Sequence, residues 1–191
     1  MLLGPTMNAK VASELSQRVP HLALRMKEHS HRALVFAQRM KNLGLKVIYP
    51  GLKDHPDHHL LSSIANKDYG YGGVLCIDMG TEERANRLMN LLQNHTHFGL
   101  LAVSLGYFET LMSCSGRVKS IQSTQKSNLT SSYFNYLFVF SIGSSTSSEM
   151  NVEEKELAGI SPGLIRMSVG YVGTLEQKWS QLEKALLKLN I

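Results

Sequence analysis

Arg166 is the residue whose setting most needs a chemical explanation. It sits inside the apolar run Gly163-Leu164-Ile165-Arg166-Met167-Ser168-Val169. A guanidinium in such a run is costly to bury unless an anion satisfies it. Its planar fork suits a carboxylate, which it grips through two parallel charge-assisted bonds. Two partners fit that chemistry: an Asp or Glu of the same chain, giving an internal salt bridge, or the carboxylate of a ligand. Ser104, at the end of Leu101-Ala102-Val103-Ser104-Leu105-Gly106, could add a hydroxyl or a backbone donor beside that carboxylate.

Other reactive side chains carry weaker signals. His55-Pro56-Asp57-His58-His59 is the densest cluster of metal-capable groups, but no cysteine pair stands at zinc-site spacing from it, so it reads as a solvated loop. Cys76 and Cys114 are too few for a disulfide framework; they suggest a reducing, cytoplasmic setting and read as inert thiols. Tyr69-Gly70-Tyr71-Gly72-Gly73 has neither the glycine spacing nor the lysine of a phosphate loop, and reads as an approach to a strand.

The elements that must hold Arg166 and Ser104 follow from periodicity. Apolar positions at Leu22, Met26, His29, Ala33, Phe36 or Ala37, Met40 and Leu43 step by three and four, predicting a long helix. Pro20 separates it from a helical piece at about 7–18, and Gly44 ends it. Leu45 to Tyr49 reads as a short buried strand, 57–66 as a short helix, and Val74 to Met79 as a strand covered on both faces. Thr81 caps a helix whose stripe is Ala85, Leu88, Met89 and Leu92. Phe98 to Leu105 reads as a strand, and Tyr107 to Ser113 as the start of a helix. Glu153 to Ala158 reads as a helix and Gly163 to Val169 as the fourth strand. Thr174-x-x-Gln177 opens the last helix, with its stripe at Leu175, Trp179, Leu182, Leu186 and Leu189. The expected class is α+β: a long leading helix and a small, mainly antiparallel sheet of about four strands with helices packed on it.

Composition narrows the function. The 191 residues, 43% hydrophobic and 18% charged, suit a globular domain rather than a fibrous or disordered chain. No apolar run reaches the roughly 18–20 residues of a membrane span, so no membrane partner is expected. The net charge of +5 is concentrated: residues 117–143 carry +3 through Arg117, Lys119 and Lys126, with no acid, and the rest only +2. That argues against a nucleic-acid-binding face. Within the same segment Tyr133 to Phe140 packs five aromatics into eight residues with no helical period and no clean alternation. It reads as an insertion foreign to the fold, or else as an extra strand or partner-binding hairpin.

Three ordered motifs resemble the Cys/Met-metabolism family of pyridoxal-phosphate enzymes: Tyr49-Pro50-Gly51-Leu52-x-x-His55-Pro56, Ala102-Val103-Ser104-Leu105-Gly106, and Ala158-Gly159-Ile160-Ser161-x-Gly163-Leu164-Ile165-Arg166-Met167-Ser168-Val169-Gly170. The resemblance spans nearly all of 3–187 except 117–143. It implies the C-terminal domain of a fold-type I enzyme, with 1–44 a helical link from a cofactor domain that is missing and 45–191 the substrate-side α+β domain. Arg166 falls on the arginine that holds the substrate α-carboxylate, and Ser104 on the serine that assists it. Val103 stands where the cystathionine-cleaving members have an acid; an apolar wall there suits a thioether such as methionine. The implied activity is carbon–sulfur bond cleavage, or else the transsulfuration of a γ-synthase-like fragment. The implied cofactor is pyridoxal 5′-phosphate, but none of the twelve lysines matches its Ser-x-Thr-Lys attachment context, so no catalytic or cofactor-binding residue is expected in this chain and it is expected to be inactive alone. Implied partners are an amino-acid substrate and other subunits, as a homo-oligomer or as a non-catalytic module on full-length ones.

Overall fold

The structure, a computed structural model, describes residues 7–114 and 150–190; the segment 117–143 lies outside them. Asn8 opens helix α1, Ala9–Arg18, by accepting from the Val11 N–H at 2.9 Å. Pro20 then lies in a 3-10 turn, Val19–His21, because its ring cannot continue an α-helical ladder. Helix α2, Leu22–Asn42, follows as expected and buries His29, Ala33, Phe36, Ala37 and Met40 along one face. Leu22 and Leu43, placed on the same stripe by spacing, are exposed. Gly44 stops the helix with φ +84°, and the Gly44 and Leu45 N–H groups turn back to the Lys41 and Met40 carbonyls.

Five strands form one sheet in the order β1-β2-β5-β4-β3. They are β1, Lys46–Ile48; β2, Val74–Asp78; β3, Gly99–Leu101; β4, Thr110–Cys114; and β5, Leu164–Ser168. All pairings are antiparallel except β3 with β4. The helices between them are α3, His58–Ile64; α4, Glu82–Asn90, extended by a π turn at Leu91–His95; α5, Val152–Leu157; and α6, Leu175–Leu187. Thr81 and Thr174 cap α4 and α6 as the sequence indicates.

Three expectations are corrected. Residues 110–114 form a central strand, not a helix: Thr110, Leu111, Met112 and Cys114 are all buried, and antiparallel pairing with β5 overrides the local helical preference of Leu and Met. The α+β class and the mainly antiparallel sheet of about four strands hold, with this fifth strand added among the described residues. The strand at Val74 is covered on one face only, with Leu75 and Ile77 inward and Val74 exposed. Strand β1 is an edge strand with Lys46 and Ile48 exposed, not a buried one.

The register separates two faces of the sheet. On one, Leu75, Met167 and Met112 lie side by side, and next to them Ile77, Ile165 and Cys114. These residues are buried in the same cluster as Phe36 and Met40 of α2, Leu88 and Met89 of α4, and Leu182 and Leu186 of α6. Each such side chain, fully buried, contributes about 1.5–3 kcal/mol of transfer free energy. On the other face one row reads Ile48, Cys76, Arg166, Ser113. No described helix is long and apolar enough to cross a membrane.

Candidate functional site

Strand β5 places Arg166 on the face that the helices leave uncovered, between Cys76 of β2 and Ser113 of β4. Its side chain is half-buried, and its Nη2 donates to the Val103 carbonyl at 2.8 Å. None of the ion pairs among the described residues involves Arg166. Nor is any of its nitrogens both buried and without a partner. The internal salt bridge, one of the two readings the sequence leaves open, is thus absent among the described residues. Among the described residues the one printed bond of the fork is that to Val103, and no carboxylate faces its other N–H groups.

Val103 and Ser104 belong to the connection 102–109 between β3 and β4. Because those two strands run parallel, the chain must return along the sheet before β4 begins. The return leg is tied to the open-face side chains of β5 at two points. Arg166 holds the Val103 carbonyl, and the Gly106 N–H donates to the Ser168 Oγ at 3.1 Å. Ser104 lies between those ties and is exposed, while Val103 is half-buried. Gly170, just past β5, packs so closely on the return leg that a Cβ would strike the Phe108 carbonyl. The structure thus brings Val103 directly onto Arg166 and carries Ser104 beside it.

Two further residues shape the site's electrostatics. Burial pushes the Cys76 thiol up, and the Arg166 guanidinium opposes that shift without cancelling it. Asp78, two residues along β2 from Cys76 and at that strand's end, feels an upward push from burial. Bonds from the Lys46 Nζ at 2.7 Å, the Ser161 Oγ at 2.7 Å and the Gly80 N–H at 2.9 Å outweigh it and hold the carboxyl below its ordinary range. Asp78 is thereby committed to its own neighbours. Ser168 and Asp78 were not singled out by the sequence; their alternation in step with Arg166 on the strand pattern is the signal that could have found them.

Other candidate groups are not brought together. His58 Nδ1 lies 2.8 Å from the Pro50 carbonyl and its ring stacks at 5.1 Å on Tyr71, while His55 Nδ1 accepts from the Asp57 N–H. No group of three metal-capable side chains exists among the described residues. A pyridoxal cofactor needs a lysine free to bond it covalently. The buried lysine among the described residues is Lys178, and it is held by the Phe98 carbonyl at 3.1 Å, the His97 carbonyl at 3.4 Å and Glu109 Oε2 at 3.3 Å. Among the described residues Lys178 is therefore not free to hold that cofactor.

A family profile described as Cys/Met metabolism PLP-dependent enzyme matches residues 1–150, a span that includes Ser104 and stops before Arg166. Methionine gamma-lyase of Arabidopsis thaliana is 62% identical over 189 residues, covering 99% of this chain and 37% of that relative. Cystathionine beta-lyase of Lactococcus lactis subsp. cremoris is 31% identical over 180 residues, covering 92% of this chain and 38% of the relative. Both alignments reach past residue 150, so they take in β5. Among solved structures, a Campylobacter jejuni protein described as an O-acetylhomoserine (thiol)-lyase matches with a TM-score of 0.70 and 24% identity, over 93% of this chain and 35% of its own. A cystathionine gamma synthase of Xanthomonas oryzae pv. oryzae in complex with cystathionine matches with a TM-score of 0.65 and 24% identity, over 91% and 37%. At that identity the structural matches speak for the fold alone. The chain spans less than two fifths of the length of the relatives it matches.

Proposed function

Because the chain belongs to the Cys/Met metabolism PLP-dependent enzyme family, we propose that it is the C-terminal, substrate-side portion of a carbon–sulfur lyase acting on methionine. In this reading residues 1–44 lead from the cofactor portion and 45–191 carry the substrate side. The full enzyme cleaves L-methionine to methanethiol, 2-oxobutanoate and ammonia in the cytoplasm, as a homo-oligomer. Pyridoxal phosphate is the family's cofactor and supplies the electron sink for such eliminations. This chain supplies position. Arg166 binds the substrate α-carboxylate through the N–H groups not spent on Val103, and Ser104 completes the grip. Val103 presents an apolar wall to the thioether arm, which favours methionine over cystathionine, whose far end carries a second charged head.

One observation carries the reading: a half-buried guanidinium, already fixed in direction by the Val103 carbonyl, with no carboxylate partner among the described residues. The test is titration of the chain with L-methionine and with its methyl ester, followed by NMR at Arg166 and Ser104. Methionine produces saturable shifts and the ester does not. In R166M affinity falls about tenfold or more, on the scale of a charge-assisted bond left unmade. Equal binding of acid and ester would remove Arg166 from the substrate. The chain alone is expected neither to turn yellow with pyridoxal phosphate nor to release methanethiol, because none of its twelve lysines stands in the family's attachment context and the buried Lys178 is engaged.

A second reading, a non-catalytic module that associates with full-length subunits, draws on α1. That helix buries none of its residues and exposes Val11 and Leu15 at a spacing of four. Size-exclusion chromatography with an intact homologue separates the readings; independent elution removes the second.

A further inference from the structure

Among the cationic and titratable side chains of helix α2, Arg25, His29 and Arg32 are spaced by four and three and so share one face. All three end on backbone carbonyls at one end of the sheet. His29 Nδ1 lies 2.5 Å from the Val169 carbonyl. Arg32 donates to the Val172 carbonyl at 3.1 Å and the Gly173 carbonyl at 2.7 Å, with Glu28 beside it at 2.6 Å. These two secure the chain leaving β5. Arg25 differs, because its Nη2 donates to the Gly106 carbonyl at 2.9 Å, on the return leg that carries Ser104.

We infer that Arg25 is a positioning residue for the carboxylate site: it fixes the far end of the 103–106 leg and thereby sets where Ser104 stands over Arg166. The inference rests on the carboxylate reading above. Three observations support it. Gly106 is gripped on both sides of its peptide unit pair, its N–H by Ser168 Oγ and its carbonyl by Arg25, while Arg166 holds the other end at Val103. Arg25 is wedged rather than waving: its guanidinium sits 5.9 Å from the centre of the Tyr171 ring, and that ring meets His29 edge-on at 5.0 Å. Its Nε is buried with no partner, a position that a helix-surface arginine with water in reach would abandon. A half-buried side chain that leaves one donor unsatisfied in order to place another on a distant carbonyl is fixing that carbonyl.

Amide hydrogen exchange and methionine titration of the full chain test this. In R25M, exchange at the Gly106 N–H, which the fixed leg holds on Ser168 Oγ, rises at least tenfold, while Leu75 and Ile165 in the sheet keep their native rates. Affinity for L-methionine falls about three- to tenfold in the same variant. R25K, which keeps a cation and one donor, restores most of both. R39M removes an arginine of the same helix whose guanidinium instead meets Glu176, and it leaves both readouts at native values. Should R25M not fold, R25Q, too short to reach Gly106, is read in the same way. Unchanged exchange at Gly106 overturns the inference, as does native affinity in R25M. A native chain that gives no methionine-dependent shift overturns the carboxylate site, and Arg25's role in it falls too. That outcome is told apart from failure of Arg25 alone, in which the native chain binds and the variant binds equally.

Discussion

The two faces of the sheet were built from the same five strands and do opposite work. On the covered face every inward position of β2 and β5 is apolar: Leu75, Ile77, Ile165 and Met167 are each exposed by 1% or less. On the open face the same strands alternate Val74, Cys76 and Asp78 with Leu164, Arg166 and Ser168, a mixture that would make a poor core. The covered face contributes burial and is sensitive to changes of volume; the open face holds polar groups tied to neighbouring segments, Arg166 to Val103, Ser168 to Gly106 and Asp78 to Lys46 and Ser161. A strand in this protein therefore serves the core with one residue and anchors a loop or neighbouring strand with the next.

Truncation is the strongest way to break that comparison. I165A should lose about 2–5 kcal/mol of stability in urea unfolding, through lost transfer free energy and the cavity left behind. V74A, on the neighbouring strand but facing outward, should lose less than about 1 kcal/mol; equal losses would mean that the open face is core as well. Acid sharpens the comparison at the end of β2. Asp78 is held below its ordinary value in the folded chain, so the stability it contributes is present above that value and lost as pH falls through the depressed one. The acid limb of a pH–stability curve should therefore flatten in D78N, by less than the core truncation costs. The smallest effect is at Cys76. Its thiol is pushed up by burial and pulled partly back by Arg166, so R166M should slow its alkylation about two- to threefold at pH 8. An unchanged rate would place the guanidinium too far from that row to matter.

Much of this arrangement was legible in the chain, and what was not has physical causes. Arg166 could be singled out because a guanidinium flanked by Ile165 and Met167 contradicts its own surroundings. Helix α2 could be read because an apolar stripe repeated over six turns has no other explanation. Strand β4 was misread: Thr110-Leu111-Met112 is buried on both faces and so shows no alternation, and only pairing with β5, more than fifty residues away, makes it a strand. Arg25 gave no signal. On a helical wheel it is one more cation flanking the apolar stripe, and its partner at Gly106 lies 81 residues along the chain. Local pattern reveals a group that is out of place; it says nothing of one that is in place for a distant reason.

The parallel pairing of β3 with β4 has an outcome for how such a module can diversify. The eight residues that double back between them contribute no rung to the β5–β4–β3 ladder beyond the Ala102 N–H, yet they roof the arginine. Substitutions there change what lies over Arg166 while the sheet underneath stays as it was, so this short crossover is free to vary where the strands are not.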